Sequence, residues 1–158
     1  MSDLKSGVAR AVADVVEREL LGSVEVPAPP ERVFRALASK EITQWWVRPG
    51  VFDTREWNGD VRVGGRWRAS GVARGNPYAL EGEFVAVDPP RQLIHTWIAV
   101  GEPVGPMKVT YHLEKIDAGT RITVRHCGFS SPLTCLMTAA GWETSFARLS
   151  EILASENK

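Results

Sequence analysis

Residues 132–153 read PLTCLMTAAGWETSFARLSEIL. Trp142, Phe146, Leu149 and Leu153 stand at i, i+4, i+7 and i+11, which places them on one face of an α-helix. Glu143, Arg148, Glu151 and Glu156 fall on other faces and are expected in solvent. Pro132 suits a first helical turn, where its missing N–H has no partner to lose, with Ser130 or Ser131 as the cap. A helix of about 22 residues runs roughly 33 Å at 1.5 Å per residue. That length crosses a small sheet, so the chain before it should supply a complementary apolar face.

It does so as strands. Turn signals recur at Asn58-Gly59, Gly64-Gly65, Asn76-Pro77, Pro89-Pro90, Pro103 to Pro106 and Ala118-Gly119. Between them lie Arg66–Ala73, Tyr78–Val87, Gln92–Val100, Met107–Ile116 and Thr120–Cys127. This spacing predicts an antiparallel meander, not βαβ crossovers. Upstream, Leu20, Val24 and Val26 alternate as a strand, with Gly22 at an expected bulge. Pro30 opens a short helix bearing Val33, Phe34 and Leu37, and Ser39 is placed to cap a second with Ile42, Trp45 and Trp46 inward. Leu4, Val8, Ala11, Val12 and Val15 predict an amphipathic helix over residues 3–15. The reading is α+β: a curved antiparallel sheet of about seven strands packed against the C-terminal helix. It divides into a helical extension, residues 1–16, and one sheet-and-helix domain, residues 17–158.

Composition narrows the function. Of 158 residues, 44% are apolar and 24% charged, with formal net charge zero, which is ordinary for a globular chain. The 14 arginines are scattered and no run of like charge marks a nucleic-acid footprint. Asp3, Lys5, Arg10, Asp14, Glu17, Arg18 and Glu19 interrupt any signal-peptide core, and no apolar stretch reaches the roughly 18 residues of a membrane span. Cys127 and Cys135 are too few for a disulfide framework and read as reduced thiols, so a cytoplasmic location is expected.

The chain also resembles a known family. Residues 26–37, VPAPPERVFRAL, are similar to the opening of the activator of Hsp90 ATPase homologue-like family, within the START/polyketide-cyclase-like (SRPBCC) superfamily. Trp45-Trp46, Gly64-Gly65-Arg66-Trp67, Glu81-Gly82-Glu83-Phe84, Val87 to Leu93 and Thr96-Trp97 resemble its successive landmarks, as do Gly119 to Val124, His126 to Phe129 and Gly141-Trp142. The resemblance spans about residues 17–154 and rests on order and spacing. It implies the helix-grip fold and a ligand cavity but no particular reaction, because the superfamily includes carriers, receptors, cyclases and cochaperone domains.

Strand parity sorts the candidate residues. Leu93, His95 and Trp97 share one face, as do Val109, Tyr111 and Leu113, and Ile122, Val124 and His126. These apolar sets should face the long helix, which leaves His112 outside. The expected ligand-binding residues are Trp46, Trp67, His95, Trp97, Tyr111, His126, Met137, Trp142 and Phe146. A few polar groups in an apolar wall suit a small-molecule site. Equally, each histidine can be a core residue bonded to a neighbour, and the tryptophans can simply fill the core. No catalytic residue is assigned. His126 and Cys127 diverge in a strand, no carboxylate is placed to join His95, and no metal set or cofactor motif is present.

Three functions follow: binding of a small apolar or lipid-like molecule; a cyclase- or hydrolase-type enzyme with His95 as acid–base; and a cochaperone-like interaction module. The first is preferred. A homodimer through the sheet or the N-terminal helix is compatible with the sequence.

Overall fold

A computed structural model describes residues 8–102 and 105–157. It contains β1 (Arg10–Asp14), β2 (Glu19–Val26), α1 (Pro30–Leu37), α2 (Ile42–Trp45), β3 (Val47–Arg48), β4 (Phe52–Gly59), β5 (Arg66–Ala73), β6 (Asn76–Asp88), β7 (Gln92–Ala99), β8 (Met107–Ile116), β9 (Gly119–Cys127) and α3 (Pro132–Ser155). One antiparallel sheet of nine strands runs β1-β2-β9-β8-β7-β6-β5-β4-β3. Register shifts at Thr54/Glu56 and Phe84/Ala86 mark bulges, which bend the strands they interrupt. The sheet curls into a half-barrel, and α3 touches β1 and β2 near one edge and β3 at the other. The helix-grip reading holds, with two strands more than the seven expected.

One of those two is β1. A helix was expected over residues 3–15. Residues 1–7 lie outside the described residues, but Arg10–Asp14 is a strand paired with β2 from Arg10↔Ser23 to Asp14↔Glu19. The competing signal was period two: Ala9, Ala11 and Ala13 pack against the core while Val12 is 71% exposed. Pairing with β2 satisfies the backbone and overrides the helical spacing. Its outer edge is partly closed, since the Ala11 N–H donates to Glu143 Oε2 at 2.9 Å.

The other expectations hold or shift slightly. Pro30 and Pro132 open their helices, and the Ser131 side chain accepts from the Thr134 N–H. The cap of α2 is Glu41 rather than Ser39, whose hydroxyl instead accepts from the Glu41 N–H at 3.2 Å. Gly22 is not a bulge: β2 and β9 pair without a break, and a Cβ there would press on Val124. Residues 47–59 form the β3–β4 hairpin, with Val47 paired to Asp53 and Arg48 to Phe52. The α3 stripe of Trp142, Phe146, Leu149 and Leu153 is buried, each side chain contributing about 1.5–3 kcal/mol. Arg32 ties the end of α3 to the α1–α2 corner by pairing with Glu41 and Glu156.

Gly82 matters for the site. It is the cross-strand partner of Trp67, whose indole N–H donates to the Thr96 carbonyl at 3.1 Å. A Cβ on Gly82 would collide with that carbonyl and with Trp67 Nε1. The substitution Gly82→Ala is therefore expected to destabilise the fold by about 1–3 kcal/mol, the usual cost of overpacking. Urea unfolding measures it, and unchanged stability would mean that β5 and β6 yield there freely.

Candidate functional site

The site grows from one row of side chains across the concave face. Register aligns Leu20 with His126, His126 with Val109, Val109 with His95, and His95 with Phe84. All five are buried. The neighbouring row sets Tyr111 between Leu93 and Val124. Trp67 comes from β5, Trp97 from the end of β7 and Trp46 from the residue closing α2.

Trp142 on α3 gathers these groups. Its ring centroid lies 5.3 Å from Phe146, 5.8 Å from Tyr111, 6.2 Å from His126 and 6.4 Å from Trp46. Trp97 lies 4.9 Å from His126 and 5.2 Å from Trp46, and His95 lies 4.9 Å from Trp67. Eight of the nine expected residues are thus brought together. Met137 is not: it is 44% exposed, because helical spacing from Trp142 turns it away from the buried stripe. Phe129, 4.6 Å from His126, and Phe84, 6.1 Å from His95, complete the walls. Both stand in the family landmarks but neither was among the expected ligand-binding residues, although the pairing of β6 with β7 places Phe84 beside His95.

Hydrogen bonds assign both histidine tautomers. The Trp142 indole N–H donates to His126 Nδ1 at 3.1 Å. That nitrogen is bare, so a neutral His126 carries its proton on Nε2. His95 is the reverse: Nδ1 lies 2.9 Å from the Thr96 carbonyl, which only accepts, so Nδ1 holds the proton and Nε2 is bare. Burial drives both rings neutral. It lowers the His95 pKa from 6.5 to about 4, against an upward pull from the Thr96 bond. Burial, with the nearby His95 adding to it, lowers His126 from 6.5 to about 3. Burial raises the Tyr111 pKa, while the Trp46 indole on its hydroxyl side pulls it down.

Among the described residues, three buried polar atoms are left without a partner: Trp46 Nε1, Tyr111 Oη and His126 Nε2. Trp46 and Tyr111 approach each other but do not meet in hydrogen-bond geometry. All three rings border Trp142. Two open concavities lie elsewhere, one of about 600 Å³ beside Pro89, Pro90 and His112 and one of about 250 Å³ beside Pro27 and Gly119. None of the nine expected residues lines either. Among the described residues no three His, Cys, Asp or Glu side chains are grouped to hold a metal ion.

Residues 27–154 match the family described as activator of Hsp90 ATPase homolog 1-like protein. The chain belongs to that family. Solved structures agree on the fold. A protein from Rhodobacter sphaeroides is 21% identical, with 92% of this chain and 99% of that one covered and a TM-score of 0.77. A Chromobacterium violaceum protein is 24% identical over 86% and 97%, with a TM-score of 0.76. The AHSA1 protein of Silicibacter pomeroyi is 23% identical over 87% and 99%, with a TM-score of 0.73. No curated protein matches the chain. As a member of the family it has the expected helix-grip fold, and no helix among its described residues is long and apolar enough to cross a membrane.

The buried histidines make stability depend on pH with a definite sign. Each binds a proton less readily when folded than in the unfolded chain, where the ordinary value of 6.5 applies. Their stabilising effect is complete above about pH 6.5. Below it the unfolded state takes up protons first, and stability falls by up to about 1.4 kcal/mol per pH unit for each histidine. The fall ends near pH 4 for His95 and near pH 3 for His126. Denaturation between pH 6 and 4.5 should show this slope roughly halved in His95→Phe. An unchanged slope would remove His95 as a source.

Proposed function

We propose that this protein binds one small, uncharged, largely apolar molecule between the concave face of the sheet and α3. The observation that carries the reading is the set of unpartnered Trp46 Nε1, Tyr111 Oη and His126 Nε2 inside an aromatic interior. Each buried, unsatisfied polar group costs about 1–3 kcal/mol. Against a net stability of about 5–15 kcal/mol, three in one place are a heavy load for a purely structural core. A few polar groups set in apolar walls are what a small-molecule site requires. Flat walls of indole and phenyl rings favour a planar ligand. With both histidines neutral, no charge stands ready to pair with an ionised one.

The same facts rank acid–base catalysis lower. A general base works best with a pKa near the working pH, and His95 at about 4 lies well below it. Every group of the site comes from one chain, so a second copy is not required. We place the protein in the cytoplasm, where its free Cys127 and Cys135 would stay reduced.

Native mass spectrometry of the protein as purified is expected to show a bound mass that denaturation releases. After stripping, titration with indane, an uncharged bicyclic hydrocarbon, should shift the emission of the tryptophan cluster with one-to-one stoichiometry. Stripped protein whose emission indane leaves unmoved would end the proposal.

A further inference from the structure

Strand β1 ends the sheet, and its far side has no strand beside it among the described residues. The Ala11 N–H leaves on that side and meets the exposed Glu143. Backbone groups alternate in direction along a strand, so the Ala13 N–H and the carbonyls of Ala11 and Ala13 leave there too. Such a row is a template for a further strand, closed at one donor by a single side chain.

The sequence of β1 is a charge palindrome. Arg10-Ala11-Val12-Ala13-Asp14 sets a cation and an anion at equal distances on either side of Val12, and these three side chains are the exposed ones. Two copies laid antiparallel about Val12 bring Arg10 of each against Asp14 of the other. The same register sets Ala11 against Ala13, the residues whose backbone groups point across the edge. Val12 then meets Val12 in a pair without hydrogen bonds, where side chains stand closest.

Each of these side chains lacks something that the register supplies. Val12 is 71% exposed, and Leu21, its partner across β2, is 52% exposed. Joined sheets would line up Leu21, Val12, Val12 and Leu21 in one apolar row. Among the described residues Arg10 makes no ion pair. Asp14 stands opposite Glu19, a like-charge pair that weakens a sheet. Arg125 neutralises Glu19, whereas Asp14 has only the N–H groups of Val16 and Glu17. On the inner side, Leu136 shares a flank of α3 with Glu143, seven residues on, and is 53% exposed.

We propose that this protein forms a two-fold dimer in which β1 pairs antiparallel with β1 of a second copy about Val12, joining two nine-stranded sheets into one. On pairing, Glu143 gives up the Ala11 N–H to the second copy's Ala13 carbonyl, so it caps the edge only in the separate chain. The mirrored charges favour a second copy over a foreign strand, because a two-fold interface must complement itself. So short a strand buries less than the roughly 1,200–2,000 Å² of a standard stable interface, so the dimer is weak and follows concentration. Arg10, Val12 and Asp14 take no part in the proposed ligand site, so either proposal can fail without the other.

Sedimentation velocity over a concentration series should show monomer passing into dimer, and Glu143→Ala should shift the balance toward dimer. Arg10→Asp should weaken association about tenfold or more, since like charges then meet twice. Asp14→Arg should weaken it as well, and mixing the two variants should restore it, because their charges match only in the mixed pair. In a Cys127→Ser background, Val12→Cys should link two copies by a disulfide on mild oxidation, since Cα atoms about 4.5 Å apart are within its reach. Wild type and Glu143→Ala that both stay monomeric overturn the proposal and leave the edge to its cap or to a foreign strand. A dimer that ignores Arg10→Asp, or that Val12→Cys does not link, overturns this interface. Asp14→Arg also loses the turn bonds to Val16 and Glu17; if it fails to fold, Arg10→Asp and Val12→Cys still decide.

Discussion

The 3.1 Å hydrogen bond from Trp142 Nε1 to His126 Nδ1 joins the helix to the sheet at the centre of the molecule. Its two ends come from α3 and β9, and both rings are buried. Apolar packing alone would let α3 slide or rotate over the concave face at modest cost, because hydrophobic burial has no direction. A buried donor–acceptor pair does have direction, and losing it would strand two polar groups. The bond therefore sets the register of α3 over β9. With it come the positions of Phe146 against Trp45, at 6.1 Å, and of Gly141 against Phe52.

The contacts of α3 with both ends of the sheet explain why a half-barrel suffices. The sheet does not close on itself, so it has two edges, β1 and β3. α3 lies against both. Near one, Glu143 caps the Ala11 N–H; near the other, Phe52 of β4 lies beside Gly141 of α3, at a distance that would still accommodate a Cβ. At the far end Arg32 holds Glu156 just past the helix. The helix thus fills the groove and blunts the edges that the open sheet would otherwise present. Its sequence carries both duties on different faces, which is why Glu143 cannot be read as merely solvated.

Much of this was legible from residue order. The inward parity of Leu93, His95 and Trp97, of Val109, Tyr111 and Leu113, and of Ile122, Val124 and His126 follows from alternation alone, since a strand has only two faces. The stripe on α3 follows from a single period. Strand β1 was not legible, because a short alanine-rich segment satisfies helical and strand spacing together and only its pairing with β2 decides. Met137 was misplaced for a simpler reason: its type suits a pocket but its angle around α3 does not. Phe84 required the bulge in β6, and no pattern along one strand announces where its neighbour will slip. Hydrogen positions on His95 and His126 lie still further from the sequence, since each depends on a partner supplied by another element or by local backbone geometry.

Those hydrogen positions separate two kinds of buried histidine that look alike in a sequence. A catalytic histidine is kept near neutrality in pKa, with a charged or solvent-linked partner to take up its proton. His95 and His126 have the opposite setting: rings on their flanks, a backbone carbonyl or an indole at one nitrogen, and a pKa pushed far down by burial. In that setting an imidazole keeps its proton through ordinary changes of pH and acts as a fixed donor on one side and a fixed acceptor on the other. Fixed, neutral, directional groups are what selectivity for an uncharged polar atom requires, because leaving them unpaired is itself costly and rejects molecules that lack the matching atom. Under the proposed binding function, the unpartnered Trp46, Tyr111 and His126 would pull stability and recognition in opposite directions. Local cost accepted for the sake of a site is the usual reason a core departs from full satisfaction of its polar groups.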